Sequence, residues 1–288
     1  TIQTILDGAN QKERTIAKPR FFPDQIVHWA LMLQLQPVMM QGMYAYSCGS
    51  VPGRGTSYGQ KALRRWLDKD YRGTKYCLKM DIAKFYPSID LTVLKDLFRS
   101  RLKDADCLWL IDTILDSYPA GLPIGNYTSQ WFSNFLLQGL DHFIKETLQV
   151  PYYLRYVDDL VLLGPNKKAL HRARGAITDY LAGLRLKLKG NWQVFKVNAR
   201  AIDFLGLRFY RDHTTLRKTN ALRIRRRLAK ISSKGHLSYR DACAVVSYWG
   251  WIKRSNSYRF YHKYVKPRVD LGAAKRRIRQ HAQLCAHP

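Results

Sequence analysis

One stretch of the sequence decides the fold, and it reads Tyr152-Tyr153-Leu154-Arg155-Tyr156-Val157-Asp158-Asp159-Leu160-Val161-Leu162-Leu163-Gly164. Two runs rich in aromatic and β-branched residues flank a pair of adjacent acids, which is typical of two strands joined by a turn. Aspartate is depleted from strands and costly to bury without a partner. The stretch therefore predicts an antiparallel hairpin whose turn lets the carboxylates of Asp158 and Asp159 leave the sheet together.

These two carboxylates repel each other unless a cation lies between them and a further acid. Asp81 is the candidate third acid, because it ends a second alternating strand, residues 76–81, and has no obvious ion-pair partner nearby. Three carboxylates with water and phosphate oxygens form the kind of site that Mg²⁺ prefers. On Asp158 and Asp159 alone, an ordinary turn is an equally good interpretation, because aspartate is common in turns.

Helical patterns separate these strands. Asp90 can cap a helix over residues 91–102, and another helical pattern runs from about Thr128 to Leu148. Strands and helices interspersed in this way predict an α+β domain. A turn-like segment at residues 211–213 precedes a basic helical pattern and suggests a domain boundary. We therefore expect an α+β domain over residues 1–212, with its core at about 76–90 and 121–210, and a helical basic domain over residues 213–288.

The composition excludes a disordered chain and points to a polyanionic partner. Of 288 residues, 46% are hydrophobic, and 49 Lys and Arg against 21 Asp and Glu give a formal net charge of +28. Such a charge indicates nucleic acid or an anionic membrane surface as the partner. The most apolar stretch, residues 29–40, is interrupted by Gln34, Gln36 and Pro37, so we expect no membrane span. Five scattered cysteines without a CxxC pair suit a cytoplasmic location and offer no zinc site.

The basic excess is concentrated in residues 217–288, which carry 19 Lys and Arg against two acids. There Ile224, Leu228 and Ile231 recur at helical spacing and predict an amphipathic helix with a cationic outer side. Such a surface suits phosphate backbones, although a solvated face over an ordinary core is the alternative. The candidate phosphate-binding residues of this helix are Arg223, Arg226, Arg227 and Lys230.

Four sequence blocks, which include the three acids, follow one another along the chain. The blocks are Lys79–Ile89, Gly121–Gln130, Tyr156–Asp159 and Phe204–Gly206. Together they resemble the fingers and palm of a reverse transcriptase from about Lys18 to Phe209, followed by a thumb-like basic tail. The resemblance implies a right-hand polymerase fold with a ferredoxin-like palm sheet and an all-α basic thumb.

The resemblance also implies which residues carry the chemistry. Asp81 and Asp158 would bind two Mg²⁺ ions together with the adjoining Ile82, and Asp159 would complete the cluster. Either Lys187 or Lys189 would protonate the leaving group, and the sequence does not choose between them. The residues implied to contact the nucleotide are Lys18, Arg20, Tyr86, Ile124, Gly125 and Gln130. Those implied to contact template and primer are Arg54, Phe204, Leu205 and Gly206, besides the basic helix.

Two of these residues have a plain alternative interpretation. Tyr86 matches the aromatic residue that lies against the sugar and excludes a ribose 2′-hydroxyl, and its alternative is a core tyrosine beside Phe85. Arg54 follows glycine-rich sequence that lacks the Gly-Lys-Ser/Thr ending of a P-loop, so a simple turn is an equally good interpretation there.

The second of the four blocks, Gly121–Gln130, indicates which subtype of reverse transcriptase the chain resembles. Group II intron and retron enzymes usually have Gln-Gly and Ser-Pro where this chain has Ile124-Gly125 and Ser129-Gln130. The chain's pattern resembles the reverse transcriptases of diversity-generating retroelements, which copy a template RNA into cDNA and misincorporate opposite adenine. The family implies a basic, ring-forming accessory variability protein as a partner. A defence-associated or otherwise domesticated reverse transcriptase is the alternative, and a catalytically silent RNA-binding scaffold is a further one.

Overall fold

A computed structural model of the protein describes residues 2–7 and 12–286. The chain divides into two units, Thr1–Val197 and Asn198–Pro288. Both units combine helices with antiparallel strands, which confirms the α+β prediction. Within the described ranges, no helix is sufficiently long and apolar to cross a bilayer.

The first unit contains a two-stranded and a four-stranded antiparallel sheet. Its strands are β1 (Ile2–Asp7), β2 (Lys12–Ala17), β3 (Tyr76–Asp81), β4 (Tyr152–Tyr156), β5 (Asp159–Gly164) and β6 (Gln193–Lys196). Strands β1 and β2 pair with each other, and the larger sheet has the order β4-β5-β3-β6. Tyr156 pairs with Asp159, so the predicted hairpin is confirmed, with Val157 and Asp158 as its turn.

Helices cover this sheet and connect its strands. They are α1 (Ile26–Gln41), α2 (Thr56–Lys69), α3 (Phe85–Ser88), α4 (Leu91–Arg101), α5 (Ala105–Asp116), α6 (Tyr127–Leu136), α7 (Gln138–His142) and α8 (Lys167–Gly183). The Asp90 carboxylate accepts a hydrogen bond from the Val93 N–H at 3.1 Å and caps α4 as expected. The single helix expected from about Thr128 to Leu148 is interrupted at Leu137, whose φ of −90° and ψ of 1° separate α6 from α7.

Apolar side chains of the central strands form the core of the first unit. Leu78 of β3 and Leu160 and Leu162 of β5 are fully buried, as is Phe132 of α6. Burial of such side chains contributes about 1.5–3 kcal/mol each relative to exposure, before the entropy of folding is subtracted. The ends of β3 and β5 are therefore held on a rigid base.

The second unit begins with a three-stranded antiparallel meander. Its elements are β7 (Ile202–Phe204), β8 (Leu207–Phe209), β9 (Thr214–Leu216), α9 (Lys218–Ser232), α10 (Tyr239–Ile252), α11 (Tyr258–Phe260) and α12 (Leu271–Ala286). The compact units divide between Val197 and Asn198, and a domain boundary near residue 212 stays a prediction. The turn at residues 211–213 is a hairpin connection, because Phe209 of β8 pairs with Thr214 of β9.

Candidate active site

The three predicted carboxylates meet at one end of the four-stranded sheet. Asp81 is the last residue of β3 and lies opposite Asp159, the first residue of β5. Asp158 precedes Asp159 in the turn, and its carbonyl oxygen accepts a hydrogen bond from the Ile82 N–H at 3.1 Å. Antiparallel register thus brings together acids that are far apart in the sequence.

The turn that carries Asp158 has an uncommon backbone conformation. Val157 has a φ of +57°, a region that β-branched residues rarely adopt. Its carbonyl oxygen accepts a hydrogen bond from the Arg155 guanidinium at 3.2 Å. Gly49 packs against the turn so closely that a Cβ at residue 49 would lie 2.4 Å from Val157 Cγ2. The Asn134 side chain donates to the Gly49 carbonyl oxygen at 2.7 Å, which fixes this segment beside the turn.

Arg155 is the centre of a buried polar network under the turn. Its Nε and Nη2 donate to Asp141 at 2.8 and 2.6 Å, and its Nη1 donates to Asn134 Oδ1 at 2.9 Å. Tyr153 Oη donates to the same Asp141 carboxylate at 2.7 Å. Hydrogen bonds of this number make a buried charge tolerable. The network was not predicted from the sequence, although an arginine within an apolar strand is its signal.

Two lysines balance part of the carboxylate charge. Lys189 Nζ donates to Asp81 Oδ1, and Lys79 Nζ lies 3.3 Å from Asp159 Oδ2. Burial raises the pKa of Asp159 to about 6, against the opposing effect of Lys79. Burial and then the negative charge of Asp81 raise the pKa of Asp158. Burial thus disfavours the charged form of both carboxylates, and an additional cation would stabilise that form.

The carboxylates line a cavity of about 720 Å³, a size typical of small-molecule sites. Tyr86 and Ile124, both predicted nucleotide contacts, line it as well. Burial raises the pKa of Tyr86, which keeps its phenol neutral near pH 7. Lining residues that were not predicted include Glu13, Thr15, Lys84, Tyr118, Pro119 and Tyr156. Lys84 and Tyr156 lie within the sequence blocks described above, whereas Glu13, Thr15, Tyr118 and Pro119 carry no sequence signal, because β2 and the loop before α6 reach the cavity only through the tertiary fold.

The side chains of the cavity suit a divalent cation. Asp81 and Asp158 border the same space, and Asp159 Oδ1 is buried without a hydrogen-bond partner. Carboxylate oxygens are the ligands that Mg²⁺ prefers. Across residues 2–7 and 12–286, no group of three or more His, Cys, Asp and Glu side chains is already arranged to hold a metal ion.

The structure distinguishes the two candidate lysines. Lys189 lines the cavity and contacts Asp81. Lys187 has an exposed side chain outside the cavity lining, and its carbonyl oxygen accepts a hydrogen bond from the Ala83 N–H at 2.8 Å. Lys189 is therefore the lysine that the geometry favours.

Several other predicted nucleotide contacts lie away from the cavity lining. Lys18, Arg20, Gly125 and Gln130 are exposed, and none of the four lines the cavity. Gly125 has a φ of +118°, and a Cβ there would lie 2.4 Å from the Ala17 carbonyl oxygen. The positive φ and this close contact therefore explain why residue 125 is a glycine. Nucleotide contact by these four residues stays a prediction.

Arg54, a predicted template contact, has a structural role. Its Nη1 donates to the carbonyl oxygens of Met43 at 3.3 Å and Tyr44 at 2.9 Å. The guanidinium thereby fixes the loop that follows α1, and contact of Arg54 with the template stays a prediction.

The predicted primer-end turn belongs to the second unit. Phe204 is buried, and Leu205 and Gly206 connect β7 to β8 with φ angles of +48° and +81°. The Gly206 carbonyl oxygen accepts a hydrogen bond from the Asn220 side chain at 3.0 Å. The turn is thus well defined, and its contact with a primer stays a prediction.

The cationic residues of α9 differ in their surroundings. Arg226 and Lys230 are exposed. Arg227 Nη2 donates to the buried Asp241 at 2.6 Å, and the Arg223 guanidinium lies 5.4 Å from the ring centre of Trp251. The amphipathic helix is confirmed by the burial of its apolar face, and Arg227 in addition stabilises the unit itself.

Sequence comparisons identify a family model and a relative that match this chain. The model of the family described as reverse transcriptase (RNA-dependent DNA polymerase) matches residues 10–209. The retron Ec73 reverse transcriptase of Escherichia coli is 28% identical over 207 residues, which cover 66% of this chain and 65% of that protein. The chain thus spans somewhat less than two thirds of the length of this relative.

Solved structures share the fold at low sequence identity. Telomerase from Candida albicans, solved with a fragment of telomeric RNA, matches with a TM-score of 0.58 and 12% identity over 92% of this chain and 54% of that chain. The RNA-dependent RNA polymerase of a human picorbirnavirus matches with a TM-score of 0.57 and 15% identity over 91% and 55% of the two chains. These similarities confirm the right-hand polymerase fold. With the family match over residues 10–209, the chain belongs to the reverse transcriptase family.

Proposed function

We propose that the protein is an RNA-directed DNA polymerase that copies a template RNA into cDNA. The observation that carries the proposal is the meeting of Asp81, Asp158 and Asp159 at the edge of a cavity of about 720 Å³. The matching family description and the retron relative support the same reaction. Template RNA and the cDNA product are the partners that a net charge of +28 favours.

In this proposal, Asp81 and Asp158 hold two Mg²⁺ ions, with Asp159 and the backbone of Ile82 completing the site. Bound Mg²⁺ would supply activation of the primer 3′-hydroxyl and neutralisation of the triphosphate. The burial of Asp158 beside Asp81, which raises the Asp158 pKa, and the unpartnered Oδ1 of Asp159 support this role, because a cation would stabilise the charged form of both carboxylates. Lys79 keeps one oxygen of Asp159 engaged and so limits its rotation.

Lys189 and Tyr86 have separate roles in the proposed reaction. The Lys189 ammonium contacts Asp81 and can donate a proton to the leaving pyrophosphate from the cavity wall. Tyr86 presents a neutral aromatic ring beside the carboxylates, where it can border the sugar of the incoming nucleotide. Both roles follow from side chains that share one cavity.

Primer extension on an RNA template with Mg²⁺ and dNTPs tests the proposal. We expect Asp158→Asn to lower the extension rate by about 1000-fold, because a lost metal ligand forfeits several kcal/mol of transition-state stabilisation. The exposed acid Asp96 of α4 provides the control, and Asp96→Asn is expected to retain the rate. Absence of extension by the unaltered protein, with its RNA and accessory protein supplied, would instead support the silent RNA-binding scaffold.

We propose further that the enzyme is of the diversity-generating type and is error-prone opposite template adenine. Ile124 lines the cavity with an apolar side chain where related enzymes usually have a glutamine. A pocket that offers no hydrogen bond discriminates less strongly between correct and incorrect bases. A basic, ring-forming accessory protein that helps to engage the template is part of this proposal, as is a cytoplasmic location.

Ile124→Gln tests the subtype. We expect the variant to misincorporate less often opposite adenine than the unaltered enzyme, because the glutamine restores a polar contact that favours the correct pair. Sequencing of cDNA made on templates with adenine, guanine, cytosine or uracil at one position measures this, with the last three templates as internal controls. An unchanged error frequency opposite adenine contradicts the proposed role of Ile124.

A defence-associated or otherwise domesticated reverse transcriptase is the second candidate. The similarity to a retron enzyme favours it, since that relative is 28% identical over 207 residues. Accurate extension opposite all four template bases would support this second candidate and exclude the mutagenic subtype.

A further inference from the structure

A second cavity, of about 400 Å³, lies in the first unit beside the carboxylate cavity, and we call it the side cavity. Segments after β2, at the start of α1, at the end of α5 and before α6 enclose it. Tyr118 and Pro119 line both cavities, whereas none of the three acids lines the side cavity. Its volume lies within the range of small-molecule sites.

Two buried polar atoms of the side cavity have no partner. His28 and Asn126 line the cavity and are each only 7% exposed. His28 Nδ1 and Asn126 Oδ1 form no hydrogen bond. Buried polar atoms in proteins are nearly always satisfied. Two unsatisfied atoms in one cavity therefore point to a ligand that supplies the missing partners.

Other contacts of the cavity show why these two residues are available to a ligand. Asn126 occupies the N-cap position of α6, where an asparagine ordinarily accepts a backbone hydrogen bond, yet its side chain makes no capping bond. Thr113 and Ser117 also line the cavity, but their hydroxyls donate to the carbonyl oxygens of Trp109 and Ile114 within α5 at 2.9 and 2.6 Å. Burial lowers the pKa of His28, so its imidazole is neutral near pH 7 and carries one donor and one acceptor nitrogen.

The remaining walls suit a flat ring with a polar edge. Apolar side chains dominate them, and four of these are prolines, whose rings offer rigid, flat contact surfaces. These prolines are Pro19, Pro23, Pro119 and Pro123. A neutral aromatic heterocycle has apolar faces and hydrogen-bonding groups along its edge, as does every nucleobase.

We propose that the side cavity binds one unpaired nucleobase, whose edge hydrogen-bonds to His28 and Asn126. The base can come from an RNA strand or from a free nucleoside, and the chemistry of recognition is the same for both. The shared Tyr118–Pro119 wall puts this base next to the carboxylate cavity. The inference rests on the proposed function only for the expectation that RNA is present.

Binding of the four ribonucleosides to the full chain tests the proposal. Nucleosides carry no phosphate, so the charge of the protein does not attract them, and titration calorimetry reports their affinity directly. We expect binding of at least one nucleoside to weaken about tenfold in His28→Phe and in Asn126→Leu, because each variant removes one hydrogen bond to the base edge. The exposed His236 and Asn191 provide the matched controls, and His236→Phe and Asn191→Leu are expected to bind as the unaltered protein does.

Both cavity variants replace an unpartnered polar atom by an apolar group of similar shape, so we expect them to fold. Thermal unfolding checks this.

A single-stranded RNA that contains 4-thiouridine provides a measurement on the unaltered chain. Cross-links in the peptide spanning residues 19–28, which contributes to the side cavity and not to the carboxylate cavity, would support the side cavity as a site for a base in a strand, and nucleoside binding without such cross-links would support a free nucleoside.

Two outcomes would overturn the inference. One is nucleoside affinity that is unchanged in both cavity variants, and the other is the absence of both nucleoside binding and cross-linking within residues 19–28. Binding is measured without dNTPs or metal, so it is independent of catalysis. A protein that binds the base but does not extend a primer contradicts the proposed function alone, whereas the reverse result contradicts only the side-cavity inference.

Discussion

The side chain of Arg155 contributes both to the stability of the protein and to the geometry of the turn that carries Asp158. It is fully buried, it donates to both oxygens of Asp141, and it also holds the carbonyl oxygen of Val157 next to Asp158. Removing one partner of a buried ion pair leaves the other charge without compensation in a low-dielectric interior. We therefore expect this pair to tolerate joint replacement far better than single replacement.

Arg155→Met is expected to destabilise the protein by about 3–5 kcal/mol, because Asp141 then remains buried without its cation. The double variant Arg155→Met/Asp141→Leu is expected to recover a large part of this loss. Denaturant unfolding measures both. Arg99→Met, which breaks an ion pair between half-exposed side chains, is the control and is expected to cost about 0–1 kcal/mol. A double variant as unstable as the single one contradicts the argument.

Single residues also show how far the sequence predicts the site. Asp81, Asp158 and Asp159 are recognisable because acids within apolar strands conflict with strand propensity. Their meeting depends on strand register, which the pairing of Asp81 with Asp159 provides. The choice of Lys189 over Lys187 could not be made from the sequence, because both residues lie in one alternating segment and only the tertiary fold directs one towards the cavity.

Among the elements, α10 has an N-terminus that is stabilised mainly by one carboxylate. Asp241 accepts hydrogen bonds from Arg227 at 2.6 Å, Lys234 at 2.7 Å and Ser238 Oγ at 2.9 Å. The Ser238 hydroxyl in turn accepts from the Asp241 N–H at 3.2 Å and caps α10. The carboxylate thus connects α9 to α10 within the second unit.

Stability of α10 is expected to fall in acid. The hydrogen bond from Lys234 is the main cause of the lowered pKa of Asp241. A group whose pKa is lower in the folded state stabilises that state above its ordinary value, about 3.9, and loses the contribution as the pH falls through the lowered value. Hydrogen exchange of α10 peptides between pH 7 and pH 2 measures this. Asp241→Asn should flatten the profile, whereas Asp270→Asn, at an exposed acid, should not.

The helices and strands themselves were predicted more successfully than the residues at which they begin and end. Alternation identified β3 and the β4–β5 hairpin, because one or both faces of these strands are buried. The interruption at Leu137 and the third strand of the meander, β9, lacked a strong signal. Short strands such as Thr214–Leu216 carry too few side chains to establish a period.

At the scale of the whole molecule, the charge is the dominant property. The net charge is +28, and residues 217–288 contain 19 of the 49 Lys and Arg. Cations that contact phosphates release counterions, so affinity for nucleic acid falls as salt rises. Composition alone predicts this salt dependence, whereas the residues expected to contact RNA are identified only by their exposure in the fold.

Salt dependence of RNA binding tests which cations of α9 contribute. We expect the slope of log affinity against log salt for single-stranded RNA to become shallower by about 1.4 in Arg226→Gln/Lys230→Gln, since each phosphate contact contributes about 0.7. Fluorescence anisotropy at several salt concentrations measures the slope. Lys95→Gln, at an ion-paired lysine of α4, is the control. An unchanged slope in the double variant would mean that RNA does not contact this face.

The packing of Gly49 against Val157 has a genetic consequence. A hydrogen atom is the only side chain that the 2.4 Å approach to Val157 Cγ2 accommodates without movement of the turn that carries Asp158. Every amino-acid change reachable from a glycine codon by one base substitution introduces a Cβ. In a randomised library selected for cDNA synthesis, synonymous glycine codons should therefore be the ones recovered at position 49. Exposed positions such as Gly183 should accept a range of replacements.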